Sequence, residues 1–375
     1  MPDFTETKNR GMLSATSYHQ ASNMNNLLCK SLNLTYPIIQ APMAGVSTPE
    51  LAAAVSNSGA LGSISVGAST PQQAEMMIRK TLALTSAPIN VNVFCHAPVQ
   101  RDPQLEQAWI ARFQPVFARY EATPPDALSE IYQTFVDNDA MLEVLLEHAP
   151  AAVSFHFGLP SAAFVQRLKS RGIITLASAT SMREAQAIEA ADIDFIVAQG
   201  IEAGGHRGIF QPAGDDQQLS TFTLLQAIRQ ISRLPVIAAG GVMDGAGIAA
   251  MLKLGAAGVQ LGTAFILCPE SAANAAYRQA LKSEQANSTE MIAAISGRSA
   301  RCLTNDFCHL AREFAQESIP PYPLTYALGK ALAAAATAKG VHGFGAQWAG
   351  QGAMLAREMP AAELVKTLVK EWQAA

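Results

Sequence analysis

The sequence predicts an α/β fold: a (β/α)8 barrel of the TIM type with an additional, mainly helical lobe that caps it and serves the substrate. Two observations predict it. Short apolar runs alternate with amphipathic segments eight times between Tyr36 and Leu261, and such alternation implies a parallel sheet. Polar and glycine residues then gather at one end of many of those runs: Met43, Asn92, His156, Gln199, Gly240, Gly241, Gly262 and Thr263. In a β/α barrel the chemistry sits at the C-terminal ends of the strands. An open doubly wound sheet also alternates, but eight repeats imply closure.

The elements follow in order. Strands are expected at 36–42, 60–65, 89–94, 151–155, 173–177, 195–198, 235–238 and 258–261. Helices are expected at 49–58 behind an N-capping Thr48, at 71–84 behind Ser69 or Thr70, and at 161–171, 181–191, 221–231 and 246–254. The run 89–94 (INVNVF) places polar residues at alternate positions, as a strand does. Residues 96–150 carry six prolines and break the rhythm, which marks an excursion over the barrel mouth. After residue 265 the pattern reads as helical to the end, with a proline-rich interruption at 319–323. The organisation is therefore a mobile tail (1–25), a barrel (26–268), a helical substrate lobe (269–339) and a C-terminal segment (340–375) that returns to the barrel.

Composition bounds the function. The chain has 375 residues, 49% apolar and 15% charged, enough for one barrel and a smaller lobe. The net charge of −4 and interspersed signs give no basic stripe for nucleic acid. No apolar stretch reaches the roughly 18 residues of a membrane span, and the first 30 residues lack a secretory core. The five cysteines contain no CxxC and the histidines no metal-ligand spacing. The expectation is a cytoplasmic enzyme without disulfides or a metal. The composition leaves a homodimer open.

Two glycine turns point to a phosphate. Gly240-Gly241 follows the seventh strand, and Gln260-Leu261-Gly262-Thr263 closes the eighth. Barrels bind phosphate with these two loops and a short helix N-terminus. Glycine lets backbone N–H groups approach the anion, and Thr263 adds a hydroxyl. Each pair taken singly is equally well a tight turn. No GxGxxG follows the first strand, so a mononucleotide is expected rather than a dinucleotide.

A third loop carries a histidine. Gln199 ends the sixth strand, and Gly204-Gly205 lead into His206-Arg207-Gly208. Gln199 can bond a heterocycle edge, and the glycines let backbone pass close to a flat ring. A lone histidine is usually structural, but this one stands in a flexible, glycine-rich segment after a strand. The expected task of His206 is electrostatic: a donor aimed at an anionic substrate or at charge developing on it. His156 follows the fourth strand and is expected to orient cofactor or substrate, with a backbone-bonded core histidine as the alternative. His19, His96, His148, His309 and His342 lack such context.

Gln40-Ala41-Pro42-Met43-Ala44-Gly45, Ser154-Phe155-His156-Phe157-Gly158-Leu159-Pro160 and Glu202-Ala203-Gly204-Gly205-His206-Arg207-Gly208 together resemble the class I nitronate monooxygenases, formerly 2-nitropropane dioxygenases. Trp348-Ala349-Gly350-Gln351 is similar to the same class, and the resemblance spans roughly residues 27–370. It implies non-covalent FMN, bound by Pro42, Met43 and Ala44 with Met43 against the isoalloxazine, by Asn92 and Gln199 at its polar edge, and by His156. Gly204 and Gly205 would approach the ring or ribityl chain. Gly240, Gly241, Gln260, Leu261, Gly262 and Thr263 would hold the phosphate, and the turn from Trp348 through Ala349 and Gly350 to Gln351 would close over the cofactor.

The resemblance also makes His206 the catalytic residue. Tyr132, His156, Tyr277, Tyr322, Tyr326 and Lys330 would line the substrate pocket. By spacing alone, Tyr322, Tyr326 and Lys330 share one helical face, which reads equally as a surface stripe. The implied reaction is oxidation of a small anionic nitronate, propionate 3-nitronate, by O2 to a carbonyl compound plus nitrite or nitrate, which detoxifies it. Arg301 and Asn305-Asp306, after Gly297-Arg298, receive no role. The alternatives are an NAD(P)H:quinone reductase of the same flavin-barrel superfamily and a non-catalytic flavin- or nucleotide-binding barrel. A phosphosugar isomerase or aldolase would want a lysine or carboxylate at a strand end, and none stands there.

Overall fold

The computed structural model describes residues 26–214, 216–314 and 318–375; the expected tail 1–25 lies outside them. The barrel is built from β1 (Ile38–Gln40), β2 (Gly62–Ser65), β3 (Ile89–Phe94), β4 (Ala152–His156), β5 (Ile174–Ala179), β6 (Phe195–Gln199), β8 (Val236–Ala239) and β9 (Gly258–Leu261), with the short β7 (Gly205–His206) outside the ring. The eight pair in parallel in the order β1, β9, β8, β6, β5, β4, β3, β2. The ring closes between the first and last of these, where Ile39 bridges Leu61 and the Gln40 N–H donates to the Leu61 carbonyl at 2.9 Å. An eightfold barrel is therefore the fold, and the open sheet is excluded.

The strands stand where the alternation put them, with ends that shift by up to two residues. Helices start where a cap can satisfy their first N–H groups. Thr48 caps Pro49–Asn57, and Thr70 with Gln73 forms a full capping box on Pro71–Leu84. Asn138 caps Asp139–His148, and Ser161, Ser181 and Ser220 cap the three barrel helices after it. Each helix lays its apolar stripe on the ring; Leu224, Leu225 and Ile228 of Thr221–Ile231 are wholly buried. The last helix, Ala361–Ala374, packs on Gly245–Lys253 and Pro49–Asn57. Its packing places the C-terminus against the barrel helices.

The lobe departs from the helical expectation. Besides Ala275–Leu281, Asp306–Glu313 and Leu324–Ala338 it contains two antiparallel strands, β10 (Thr289–Ile292) and β11 (Ala300–Leu303). The second edge of β11 pairs with β7, Ala300 opposite His206. Four-residue strands leave too short a trace for periodicity to separate from helix, and here long-range pairing decides. Two residues left without a role now have one. Arg301 donates to the Ile201 carbonyl at 3.0 Å, tying β11 to the loop after β6, and Asn305 caps Asp306–Glu313. No helix among the described residues is long and apolar enough to cross a membrane.

Candidate active site

A cavity of about 770 Å³ opens at the C-terminal ends of the barrel strands. Pro42, Met43, Ala44, Asn92, His156, Gln199, Gly204, Gly205, His206, Gly240, Gln260, Gly262, Thr263 and Trp348 line it from the barrel and its loops. Tyr132, Tyr277, Tyr322, Tyr326 and Lys330 line it from the excursion and the lobe. Leu261 and Ala349 lie buried behind the wall, and Gly241, Gly350 and Gln351 stand at its rim or back it. No Asp or Glu lines the cavity among the described residues.

One end is made of backbone. Gly240 and Gly241 take φ of +121° and +72°, which other residues adopt only with strain. Thr263 opens a 3-10 turn, Thr263–Phe265, directly after Gly262. The N–H groups of Gly241, Gly262 and Thr263 find no protein acceptor among the described residues. The Thr263 hydroxyl accepts from the Gly350 N–H at 3.0 Å and keeps its own proton to donate. The short helix that begins beside these glycines is this 3-10 turn. The helix Gly245–Lys253 does not serve, since Asp244 caps it and Glu371 accepts its first N–H at 3.0 Å.

The turn at 348–351 closes this end. A Cβ on Gly204 would lie 2.5 Å from the Gly350 nitrogen, so only glycine lets the two backbones touch. Gln351 N–H donates to the Glu202 carbonyl at 2.9 Å. Glu202 in turn accepts from the Thr221 N–H and hydroxyl, fixing the loop to a helix start. The polar residues of the strand ends are tied to each other. Asn92 accepts from Ser65 and donates to Ser154, and Gln199 donates to the His206 carbonyl at 3.0 Å while accepting from Gly208 N–H at 2.7 Å. Gln199 keeps its second amide hydrogen.

The two histidines differ in what they have left to offer. His156 donates from Nε2 to the His206 carbonyl at 3.2 Å, so its Nδ1 accepts from Ser178 at 3.0 Å. Both ring nitrogens are spent on holding the loop, and burial lowers its pKa to about 4. Among the described residues His206 makes a single hydrogen bond through its ring, from Nε2 to Ser296 at 2.8 Å. Burial, followed by the charges of His156 and Arg298, lowers its pKa to about 3. Its ring is walled by Phe157, Tyr322, Tyr326 and Trp348, with centroids 5.1–6.1 Å away.

The far wall carries phenols and one lysine. Lys330 donates to the Tyr132 hydroxyl and stands about 5 Å from the Tyr132 and Tyr326 ring centres. Trp348 Nε1–H donates to the Tyr326 hydroxyl at 3.3 Å. Tyr132 and Tyr326 thus accept and retain a proton to give, and the Tyr322 hydroxyl is buried without a partner among the described residues. Tyr277 gives its proton to the Trp348 carbonyl and so braces the closing turn. Burial raises the pKa of Tyr132 and Tyr326 to about 12, and that of Tyr277 and Tyr322 is raised also. All four remain phenols at neutral pH. One spacing expectation fails: the helix begins at Leu324, after Pro323, so Tyr322 reaches the cavity from the preceding segment rather than from a shared helical face.

Several supporting residues were not legible as such. Arg207 is 1% exposed; it pairs with Asp216 and donates to the Gln199 and Gly200 carbonyls, clamping the histidine loop at both ends. Ser178 and Ser296 hold the histidines, and no pattern marks a lone serine for that task. Arg298 lies over the Phe157 ring at 4.4 Å with no acidic partner among the described residues.

The chain matches the family model described as "Nitronate monooxygenase" over residues 25–371. It is 56% identical over 340 residues to a nitronate monooxygenase of Paraburkholderia phytofirmans, covering 91% of this chain and 93% of that one. It is 52% identical over 348 residues to one of Pseudomonas aeruginosa, covering 93% and 99%. Among solved structures it resembles a nitroalkane oxidase from Streptomyces ansochromogenes, with a TM-score of 0.84, 38% identity, and coverage of 92% of this chain and 98% of that one. FabK from Thermotoga maritima follows at a TM-score of 0.71 and 27% identity, with coverage of 92% and 96%. With the match spanning the barrel, the lobe and the closing turn alike, the chain belongs to the nitronate monooxygenase family.

Proposed function

We propose that the cavity binds FMN without a covalent link, and that the enzyme oxidises propionate 3-nitronate with O2 to a carbonyl compound plus nitrite or nitrate, removing a toxic anion. Family membership already makes the chain a nitronate-oxidising enzyme; the cofactor, the particular nitronate and the residue roles are the reading offered here. One observation carries it: a single cavity joins a backbone-built anion seat to a wall of phenols with a lysine.

The residues fit the cofactor. Unpartnered N–H groups at Gly241, Gly262 and Thr263 suit a phosphate, with the Thr263 hydroxyl beside them. The Met43 thioether suits a flat ring, and the free Gln199 amide hydrogen suits a heterocycle edge. Gly204, Gly205 and the 348–351 turn would cover it. Bound there, FMN would supply the acceptor for the nitronate's electron.

This chain's own groups bind, orient and shield. Lys330 attracts the substrate carboxylate, held in place between two rings. Tyr132, Tyr322 and Tyr326 turn their hydroxyl protons to the nitro oxygens in a site shielded from water, where each contact counts for more. His206 faces the substrate, while His156 holds the His206 loop. The five cysteines are unpaired and buried, which suits the reducing cytoplasm.

An absorbance spectrum and an oxygen electrode test this. The purified protein is expected to be yellow, to release FMN on heating, and to consume O2 when propionate 3-nitronate is added. A colourless protein that takes up no FMN overturns the cofactor. Rapid anaerobic bleaching by NADH, without O2 uptake on nitronate, replaces the reaction with a quinone reductase.

A further inference from the structure

His206 is gripped by a side chain that does not reach the cavity. Ser296 is wholly buried in the turn between β10 and β11. The turn is tight: the N–H groups of Ser296 and Gly297 both donate to the Ala293 carbonyl, at 3.2 and 2.8 Å. Gly297 has φ +87°, and a Cβ there would lie 2.5 Å from the Tyr322 nitrogen. The helix Leu324–Ala338 presses on the same turn, since a Cβ on Gly329 would meet the Ile295 carbonyl oxygen at 2.9 Å. On the other side, Ala300 pairs with His206, and the Arg207 N–H donates to the Ser299 carbonyl at 2.9 Å. One small sheet therefore fixes both the histidine and the serine, before any ligand enters.

Counting protons settles the direction of their bond. The Ser296 hydroxyl has one hydrogen and touches two groups: His206 Nε2 at 2.8 Å and the Arg298 carbonyl at 3.1 Å. A carbonyl only accepts. The serine proton goes to Arg298, and the serine oxygen accepts from His206 Nε2–H. A neutral imidazole carries one N–H, so Nδ1 is left as the bare nitrogen, with no partner among the described residues.

We propose that Ser296 is a positioning residue for nitronate oxidation, holding the His206 proton on Nε2 so that the ring presents an unprotonated Nδ1 to the cavity. The imidazole then meets its ligand as an acceptor. The nitro oxygens fall to Tyr132, Tyr322 and Tyr326, the carboxylate to Lys330, and a polar hydrogen, from an ordered water or the bound ligand, to His206. Neutrality of the ring agrees with its surroundings. His156, Arg298, Tyr322, Tyr326 and, across the cavity, Lys330 face it, and none of them is a carboxylate that would favour imidazolium. The kinetic part of this inference rests on the nitronate reading; the tautomer does not.

Nitrogen NMR of the FMN-loaded enzyme labelled with 15N-histidine tests it, the His206 signals being those lost in His206→Asn. The parent enzyme is expected to show Nε2 protonated and Nδ1 bare across about pH 6 to 8, the range in which an ordinary imidazole titrates. Ser296→Ala is expected to mix or reverse the tautomers and to lower kcat/KM for propionate 3-nitronate about tenfold, the size of one net hydrogen bond. Ser296→Thr, which keeps the hydroxyl, restores the tautomer. A proton on Nδ1 in the parent enzyme overturns the inference, as do an unchanged tautomer and rate in Ser296→Ala. Should Ser296→Ala fail to fold, the parent spectrum decides alone. A parent enzyme inert toward nitronate sinks the proposed substrate while its spectrum still reads the tautomer.

Discussion

The end of the cavity at Gly241, Gly262 and Thr263 and the end at His206, Tyr326 and Lys330 are built in opposite ways. The first uses N–H groups of consecutive turns, placed by barrel strands that neighbour each other as β8 and β9. The second uses side chains from the excursion, the β6 loop and the lobe, brought together over separations as large as the 198 residues between Tyr132 and Lys330. Backbone donors recognise charge and little else. Side chains that each offer a defined free donor or acceptor can distinguish one substrate from another. On the proposed reading the first end retains the cofactor and the second decides turnover, so substitutions at the two ends should separate in what they change.

The largest separation is expected at His206. His206→Ala should lower turnover by about 10²-fold or more through loss of one preorganised polar contact, while FMN content stays at that of the parent. Steady-state O2 uptake together with the flavin-to-protein ratio checks both halves. Turnover unchanged within twofold would remove His206 from the chemistry. Next comes Lys330→Met. It keeps the packing of the stem and deletes a charge-assisted bond, so kcat/KM for propionate 3-nitronate should fall about 10- to 100-fold. A simple alkyl nitronate, lacking the carboxylate, should be spared, and equal losses on both would place Lys330 outside the substrate site. Smaller still is Thr263→Val, expected to weaken FMN about tenfold in a titration of apoprotein without changing kcat at saturating FMN. A kcat effect with unaltered FMN affinity would blur the two ends together.

The same contrast explains what could be read from the chain. Gly240-Gly241 and Gly262-Thr263 are local signals: each stands within a few residues of an apolar strand, and alternation had already fixed which end of the strand is functional. The eight strands were legible for the same reason. The wall around His206 was not, since Ser296 and Ser178 carry no pattern and Arg298 looks like any surface cation until it is found 4% exposed. The strands β10 and β11 were missed because four residues show no reliable period, and their partner is a two-residue strand almost 100 positions upstream. Tyr322 lines the cavity, but not by helical spacing. The chain before Pro323 places it there. The residues that the family resemblance pointed to do line one cavity, but the division of labour within it, with Tyr277 and His156 already committed, comes only from counting donors and acceptors.

That accounting has a thermodynamic side at His96, which backs the same wall. Its ring lies against Tyr322 and Phe157 and is 3% exposed, and among the described residues neither nitrogen makes a well-formed hydrogen bond, the Tyr132 backbone being the nearest polar contact. Burial, then the charge of Arg298, lowers its pKa from 6.5 to about 4. In the unfolded chain the ring titrates at its ordinary value, so below about pH 6.5 the unfolded state binds a proton that the folded state refuses. Stability is full above that pH and is lost as pH falls toward about 4, the folded value. At about pH 5 the loss from this ring is about 2 kcal/mol. His96→Phe keeps a ring of similar shape, removes two nitrogens that lack a well-formed hydrogen bond, and should change little at about pH 7.5 while gaining roughly that amount at about pH 5. Urea unfolding of parent and variant at both pH values measures the difference, and the other titrating groups cancel in the comparison. A parent and variant that lose stability in parallel on acidification would mean that His96 takes up its proton inside the fold, and that the positive charge of Arg298 is screened from this side of the wall.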